Sequence, residues 1–288
     1  MQSRELARAI GAMGMELGPD TLARCRALFD AEQTALAQAV PVLARDLAYG
    51  PDARHRLDLY GTPDGAPKPV IVFVHGGGFV QGDKGGSGGD MHWANAAVGR
   101  MAAQRGWIGA VINYRLAPDH GWPAGSQDVA AAIAFLSDNV AQYDGDPAKI
   151  VVIGTSAGAV HIAGYLRLVP DHQRQVCGAV LLSGLYGYTP IDARDERYYG
   201  AAATYADKAP LEAVAGTALP LLVASAQYDP DRFQAEFIGL CNDRRARHGT
   251  MPRAVIMTGH NHYTMAMHLG TSDTRLADEI AAFIEDLT

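Results

Sequence analysis

The sequence predicts an α/β domain built on a mostly parallel sheet with helices on both faces. Two observations carry this. Short apolar runs bounded by Gly, Pro or Asp recur at 70–74, 109–112, 150–153, 179–182, 221–224 and 254–257, as strands buried on both faces require. Segments of helical spacing separate most of them, at 90–105, 126–140, 156–168, 231–247 and 273–287, and such alternation favours parallel pairing through crossovers. With 288 residues, 48% apolar and 19% charged, the composition is that of a folded domain rather than a disordered chain.

In chain order, residues 1–45 read as helices. Leu6, Ile10, Leu22, Leu28, Leu36 and Val40 recur near helical spacing, and Gly18-Pro19-Asp20 divides two segments. His55-Arg56-Leu57-Asp58-Leu59-Tyr60 alternates polar and apolar like a half-buried strand. The stretch 186–216 is the least regular and suits small helices lying over the sheet. No internal repeat or long linker interrupts the chain, so the expected organisation is an N-terminal helical segment, 1–45, on one domain, 46–288.

Composition excludes some functions. The 24 Lys and Arg against 31 Asp and Glu give a net charge of −7, with no basic block. Nucleic acid and anionic membranes both need basic patches, so neither is expected as a partner. Cys25, Cys177 and Cys241 are too few and scattered for a disulfide framework or a zinc cluster. Reduced thiols, no secretory pattern in residues 1–15 and no long apolar run together lead to a cytoplasmic expectation. Assembly into a homodimer is left open.

The chemistry concentrates in four places. Gly154-Thr155-Ser156-Ala157-Gly158 lies between a strand run and a helical pattern, the context that gives Gly-x-Ser-x-Gly its meaning. A turn this tight excludes side chains at its glycines and holds the Ser156 hydroxyl at its tip, beside a helix N-terminus whose free N–H groups face a developing oxyanion. His75-Gly76-Gly77-Gly78-Phe79 follows the run 70–74, and its bare amides are further candidate donors, so Gly77, Gly78 and Ala157 form the predicted oxyanion hole. A serine needs a base and the base an orienting carboxylate. Asp229 follows the run 221–224 and His262 the run 254–257, near the strand ends where sites gather in α/β sheets. The order Ser156, Asp229, His262 suits this architecture. Asp231 is a rival carboxylate, explained equally by a helix start, and His260 is a rival base; spacing favours His262.

The remaining candidates are weaker. His75, His92, His120, His260 and His262 show no ligand spacing for a metal, and no cofactor is expected. Residues 82–89 are glycine-rich but match no phosphate-binding pattern and read as a mobile loop near the site mouth. Phe79, Trp122, Tyr186, Tyr188 and Tyr228 are candidate pocket walls.

The chain resembles the hormone-sensitive lipase-like carboxylesterases, a group of α/β-hydrolases. His75–Phe79, Asn113-Tyr114-Arg115-Leu116-Ala117-Pro118-Asp119-His120 and Gly154–Gly158 carry the resemblance, with Trp122-Pro123 and Asp128 following as they often do there. It implies Ser156 as nucleophile, Asp229 as acid, His262 as base, the same three oxyanion donors, a small-molecule ester as substrate and residues 1–45 as cap helices. Two departures stand out. Asp229-Pro230-Asp231 replaces Asp-Pro-Leu, and His260-Asn261-His262-Tyr263 replaces a single His before Gly-Phe. The histidine stretch is more similar to that of kynurenine formamidase-like and feruloyl-esterase-like relatives. An arylformamidase-like amide hydrolase is therefore the alternative enzyme expectation, and a non-catalytic binder on the same scaffold the third. The short span from Ser156 to Asp229 implies a reduced cap at 186–216.

Overall fold

The computed structural model describes residues 2–85 and 93–287. Among them one eight-stranded sheet runs in the order β1-β2-β4-β3-β5-β6-β7-β8. Its strands are β1 (Val42–Ala48), β2 (Arg56–Tyr60), β3 (Lys68–Val74), β4 (Ile108–Ile112), β5 (Gly145–Thr155), β6 (Gly178–Leu182), β7 (Leu221–Tyr228) and β8 (Arg253–Asn261). β2 pairs antiparallel with both β1 and β4, and the other neighbours are parallel. The helices are α1 (Arg4–Gly11), α2 (Pro19–Ala39), α3 (Ala96–Gln104), α4 (Ala124–Asn139), α5 (Ala157–Leu168), α6 (Glu196–Tyr199), α7 (Leu211–Gly216), α8 (Asp231–His248), α9 (Thr264–Met267) and α10 (Arg275–Glu285).

Each apolar run serves both faces, because successive strand side chains point in opposite directions. Val70, Val72, Val74, Ile150 and Val152 pack with Val129 and Ile133 of α4 and Ile162 of α5. Ile71, Phe73, Val151 and Ile153 pack on the other face with Met101 of α3 and Ile280 of α10. This double burial explains why the runs contain almost no polar residue. No described helix is long and apolar enough to cross a membrane.

The helical reading of residues 1–45 runs too far. α2 stops at Ala39 and residues 42–45 already belong to β1, so a boundary at 45/46 would cut a strand. Pro41 is the cause, since it lacks an amide hydrogen and drives Val40 out of helical geometry; Val40 has φ −123° and ψ 87°. Of the predicted helix 90–105, residues 90–92 lie outside the described part and α3 begins at Ala96. His92 and residues 86–89 of the glycine-rich loop lie outside it as well.

The segment 186–216 does hold small helices, α6 and α7, and an unforeseen residue fixes how it leaves the sheet. Glu236 on α8 is fully buried. One of its oxygens accepts from the amides of Tyr186, Gly187 and Tyr188 at 2.6, 3.0 and 3.3 Å, and the other from the Thr189 amide at 2.7 Å. A buried carboxylate is tolerable only with such a set of donors.

Candidate active site

Ser156 stands between the last residue of β5 and the first of α5, with φ 53° and ψ −122°. A non-glycine residue held there costs about 1–3 kcal/mol, and the neighbouring elements enforce it. The Ser156 amide donates to the Leu182 carbonyl at 2.8 Å, and its carbonyl accepts from the Val160 amide at 3.2 Å. Gly158 lets α5 start this close to β3, for a Cβ there would lie 2.0 Å from the Val74 carbonyl oxygen. The loop after β3 is equally confined: Gly77 has φ 132°, and a Cβ on it would sit 1.9 Å from the Gln81 carbonyl oxygen. The Gly77 and Gly78 amides meet no acceptor among the described residues. The Ala157 amide opens α5, where the first N–H groups of a helix lack internal partners.

The structure brings Ser156, His262 and Asp229 together. His262 Nε2 lies 3.0 Å from Ser156 Oγ, and its Nδ1 lies 2.8 Å from Asp229 Oδ1. Asp229 is fully buried. Its Oδ2 accepts from Ser183 Oγ at 2.6 Å, Ser225 Oγ at 2.8 Å and the Ala226 amide at 2.7 Å. Burial pushes the Asp229 carboxyl up, but the bond and charge of His262, with the Ser183 and Ala226 bonds, outweigh it and leave the group below the ordinary carboxylate range. Sequence reasoning does not single out Ser183 and Ser225. Ser183 lies just past β6, and Ser225 lies within β7 directly after its apolar run 221–224, and that placement is the signal that could have found them.

The rivals are accounted for differently. Asp231 is the first residue of α8. His260 is fully buried, with Nε2 3.0 Å from Asp273 Oδ2 and Nδ1 3.0 Å from Thr264 Oγ1. His260, His268 and Asp273 offer three potential metal ligands within 4.8 Å of one another, a grouping the sequence spacing did not reveal. The donor geometry suits a hydrogen-bond network instead. The two imidazoles lie ring over ring, 4.0 Å apart and tilted by 30°, so their in-plane lone pairs run side by side rather than converging. Arg275 already holds Asp273 at 2.7 and 2.8 Å.

The five predicted pocket aromatics separate. Phe79 and Trp122 pack in one cluster with Ala157, together with Tyr198, Tyr199 and Tyr205; Phe79 stacks on Tyr198 at 4.5 Å. The last three come from 186–216, whose irregularity hid them. Tyr186 belongs to the main core and Tyr188 packs against it, its hydroxyl donating to Asp243 at 2.9 Å. Glu236 turns their backbone that way. Tyr228 packs among the N-terminal helices, so close to α1 that a Cβ on Gly11 would lie 3.1 Å from its hydroxyl. The 113–120 stretch is tied down by Asp128, which accepts from the Arg115 amide and guanidinium, both at 2.7 Å, and lies 3.1 Å from His55 Nε2.

Comparison with known proteins finds similar chains and similar folds. The BD-FAE family model matches residues 57–183. A probable isoprenylcysteine alpha-carbonyl methylesterase of Oryza sativa subsp. japonica is 42% identical over 122 residues, 42% of this chain and 27% of that protein. Esterase LipC of Mycobacterium tuberculosis is 38% identical over 136 residues, 46% of this chain and 32% of that protein. The chain thus matches about a third or less of these relatives' length. Among solved structures, a hyperthermophilic esterase from the archaeon Pyrobaculum calidifontis superimposes with a TM-score of 0.69 at 24% identity, over 99% of this chain and 98% of that one. The thermophilic carboxylesterase EstE1, cloned from a metagenomic library, gives 0.71 at 22% identity, over 93% of this chain and 98% of that one. The fold is that of an α/β-hydrolase. The curated relatives matched over part of their length carry esterase names.

Proposed function

We propose that the protein is a serine hydrolase that cleaves small carboxylic esters through an acyl-enzyme. One observation carries the reading: Ser156, His262 and Asp229 form a continuous hydrogen-bonded line, at 3.0 and 2.8 Å, beside backbone amides with no other acceptor among the described residues. His262 takes the Ser156 proton through Nε2 as the oxygen attacks the acyl carbon. It then returns that proton to the departing alkoxide. Asp229 holds the ring through Nδ1 and balances the imidazolium charge. The amides of Gly77, Gly78 and Ala157 receive the carbonyl oxygen as it becomes negative, each such donor being worth about 3–4 kcal/mol of barrier. Water, activated by His262 in turn, frees the acid. The esterase names of the matched relatives favour an ester over the formamide alternative.

Residues 1–39 act as a cap on this site's flank. Cys25 on α2 touches Asn261, next to His262, at 3.6 Å, and Tyr263 packs among Ile10, Phe29 and Leu22. Buried Cys25 and Cys241 suit a reducing compartment such as the cytoplasm. A homodimer through β8 is the assembly favoured by its position at the sheet edge and by Ile256, which is 60% exposed there.

Hydrolysis of 4-nitrophenyl esters of increasing chain length tests the activity, with Ser156→Ala as the control. Wild-type turnover and a loss of about 10⁴–10⁶-fold in kcat for the variant are expected. Absence of turnover together with no labelling of Ser156 by a fluorophosphonate would remove the reading.

A further inference from the structure

The segment 186–216 brings one arginine against the loop after β3. The Arg194 side chain crosses the outer face of Gly78: a Cβ on Gly78 would lie 3.2 Å from Arg194 Cδ and 3.9 Å from its Cγ. Its exposed guanidinium, carried directly on Cδ, therefore lies in the neighbourhood of the loop whose amides face the developing oxyanion. Two acidic residues flank Arg194 in sequence, and both are engaged elsewhere. Asp195 pairs with Arg232 at 2.5 Å and Asp192 with the same guanidinium at 3.3 Å, while Asp192 also accepts from the Arg194 amide at 2.8 Å. These contacts brace the turn and leave the Arg194 head without an ion pair among the described residues.

A second arginine approaches from the N-terminal side. Arg26 on α2 is half-buried, and its Nε is buried without a partner among the described residues. Arg26 shares a face of α2 with Leu22 and Phe29, in the cluster against which Tyr263 packs. Tyr263 follows His262 directly, the two rings being 6.1 Å apart. Burial raises the Tyr263 phenol above its ordinary range, with the charges of Arg194 and Arg26 pulling against that rise. Arg194 at Gly78 and Arg26 on α2 thus bring two guanidinium groups with no ion pair among the described residues to segments that adjoin Ser156 and His262, on a chain whose net charge is −7. Local positive potential on an acidic protein marks a place for a negative ligand group. A guanidinium fork is shaped for a carboxylate, which it binds through paired N–H donors.

We propose that Arg194, supported by Arg26, forms an anion subsite beside the oxyanion loop, so that the preferred esters carry a free carboxylate remote from the scissile bond. The inference rests on the ester-hydrolase reading and narrows its substrate class. Arg194 is a specificity residue here, with no part in the bond-making steps.

Two matched substrate pairs test it: the 4-nitrophenyl half-ester of adipic acid against 4-nitrophenyl hexanoate, and 4-carboxyphenyl butyrate against 4-carbamoylphenyl butyrate. The first pair places the charge on the acyl side and the other on the alcohol side. The expected result is a higher kcat/KM for the anionic member of at least one pair, with the preference falling about ten- to a hundredfold in Arg194→Ala, since a charge-assisted bond has that worth. Arg194→Lys should retain part of the preference and Arg194→Glu reverse it. Arg26→Gln should weaken it less. Equal kcat/KM within both pairs for the wild type, or an unchanged ratio in Arg194→Ala, overturns the subsite while neutral-ester turnover leaves the hydrolase reading standing. Failure of the wild type on all four esters would take both down.

Discussion

Two histidine–carboxylate pairs lie two residues apart in the chain and do different things. His262 meets Asp229 at 2.8 Å and reaches Ser156 with its other nitrogen; His260 meets Asp273 at 3.0 Å and reaches Thr264. His260 lies within β8 and His262 just past its end. His260 goes inward, against His268 at 4.0 Å between ring centres, where α9 and α10 seal it. His262 stays slightly exposed and turns toward the tip of the β5–α5 turn. The pair alone therefore does not define a site; what matters is whether the other nitrogen faces a nucleophile and an opening.

That contrast predicts opposite phenotypes. His262→Ala should lower kcat by about 10⁴–10⁶-fold and shift the urea midpoint less than His260→Ala does, because Asp229 keeps three other donors. His260→Ala should cost about 2–4 kcal/mol of stability, because it opens a cavity and strips Asp273 of a buried partner, while kcat of the folded fraction stays within tenfold. Ester kinetics and urea unfolding on both variants measure this. A His260 variant that is stable but inactive would mean that the sealed pair takes part in the chemistry.

The sealed imidazoles also set how the fold responds to acid. Burial lowers His75 to about 4, and His161 and His268 to about 3. In the unfolded chain such groups bind protons near pH 6.5. Between those limits the unfolded state holds more protons than the folded one, so stability rises with pH and falls as pH drops. Asp273 and Asp229, held below the ordinary carboxylate range, add to the loss once pH passes under about 4. The urea midpoint should decline from pH 7 to pH 4, and His161→Phe should flatten that decline by removing one silent base. A midpoint level down to pH 4 would show that these rings are protonated in the folded state.

Much of the fold and the site is legible in the sequence because local rules and the fold agree. The apolar runs at 70–74 and 150–153 fit strands buried on both faces, and the turn around Ser156 carries its own steric signature in Gly158. His262 and Asp229 can be placed from their position after strands. What stays hidden depends on contacts across long sequence distances. Glu236 reads as one more acidic residue on an amphipathic helix until four amides from 186–189 converge on it. Arg194 lies in a segment with no periodicity, so nothing local signals that it crosses Gly78. Tyr186, Tyr188 and Tyr228 stand out in the sequence as aromatic and near strand ends, yet the direction of a side chain there is decided by what grips the backbone.

The smallest expected effect concerns the donors behind Asp229. Ser183 and Ser225 both give a hydrogen bond to Oδ2, the oxygen His262 does not use. They stabilise the carboxylate without touching the imidazole, so removing one leaves the Oδ1 contact in place and two donors on Oδ2. Ser183→Ala should lower kcat about three- to tenfold and stability by about 1–2 kcal/mol, in keeping with a single bond to a charged acceptor. Ser225→Ala should behave alike, and the double variant should lose more than the sum, because a buried carboxylate left with the Ala226 amide alone has no spare donor. Stopped assays on the three variants, with urea unfolding alongside, separate the outcomes. Stability losses without any change in kcat would mean that the serines merely fill the space behind Asp229, and that the orientation of His262 is set entirely by Oδ1.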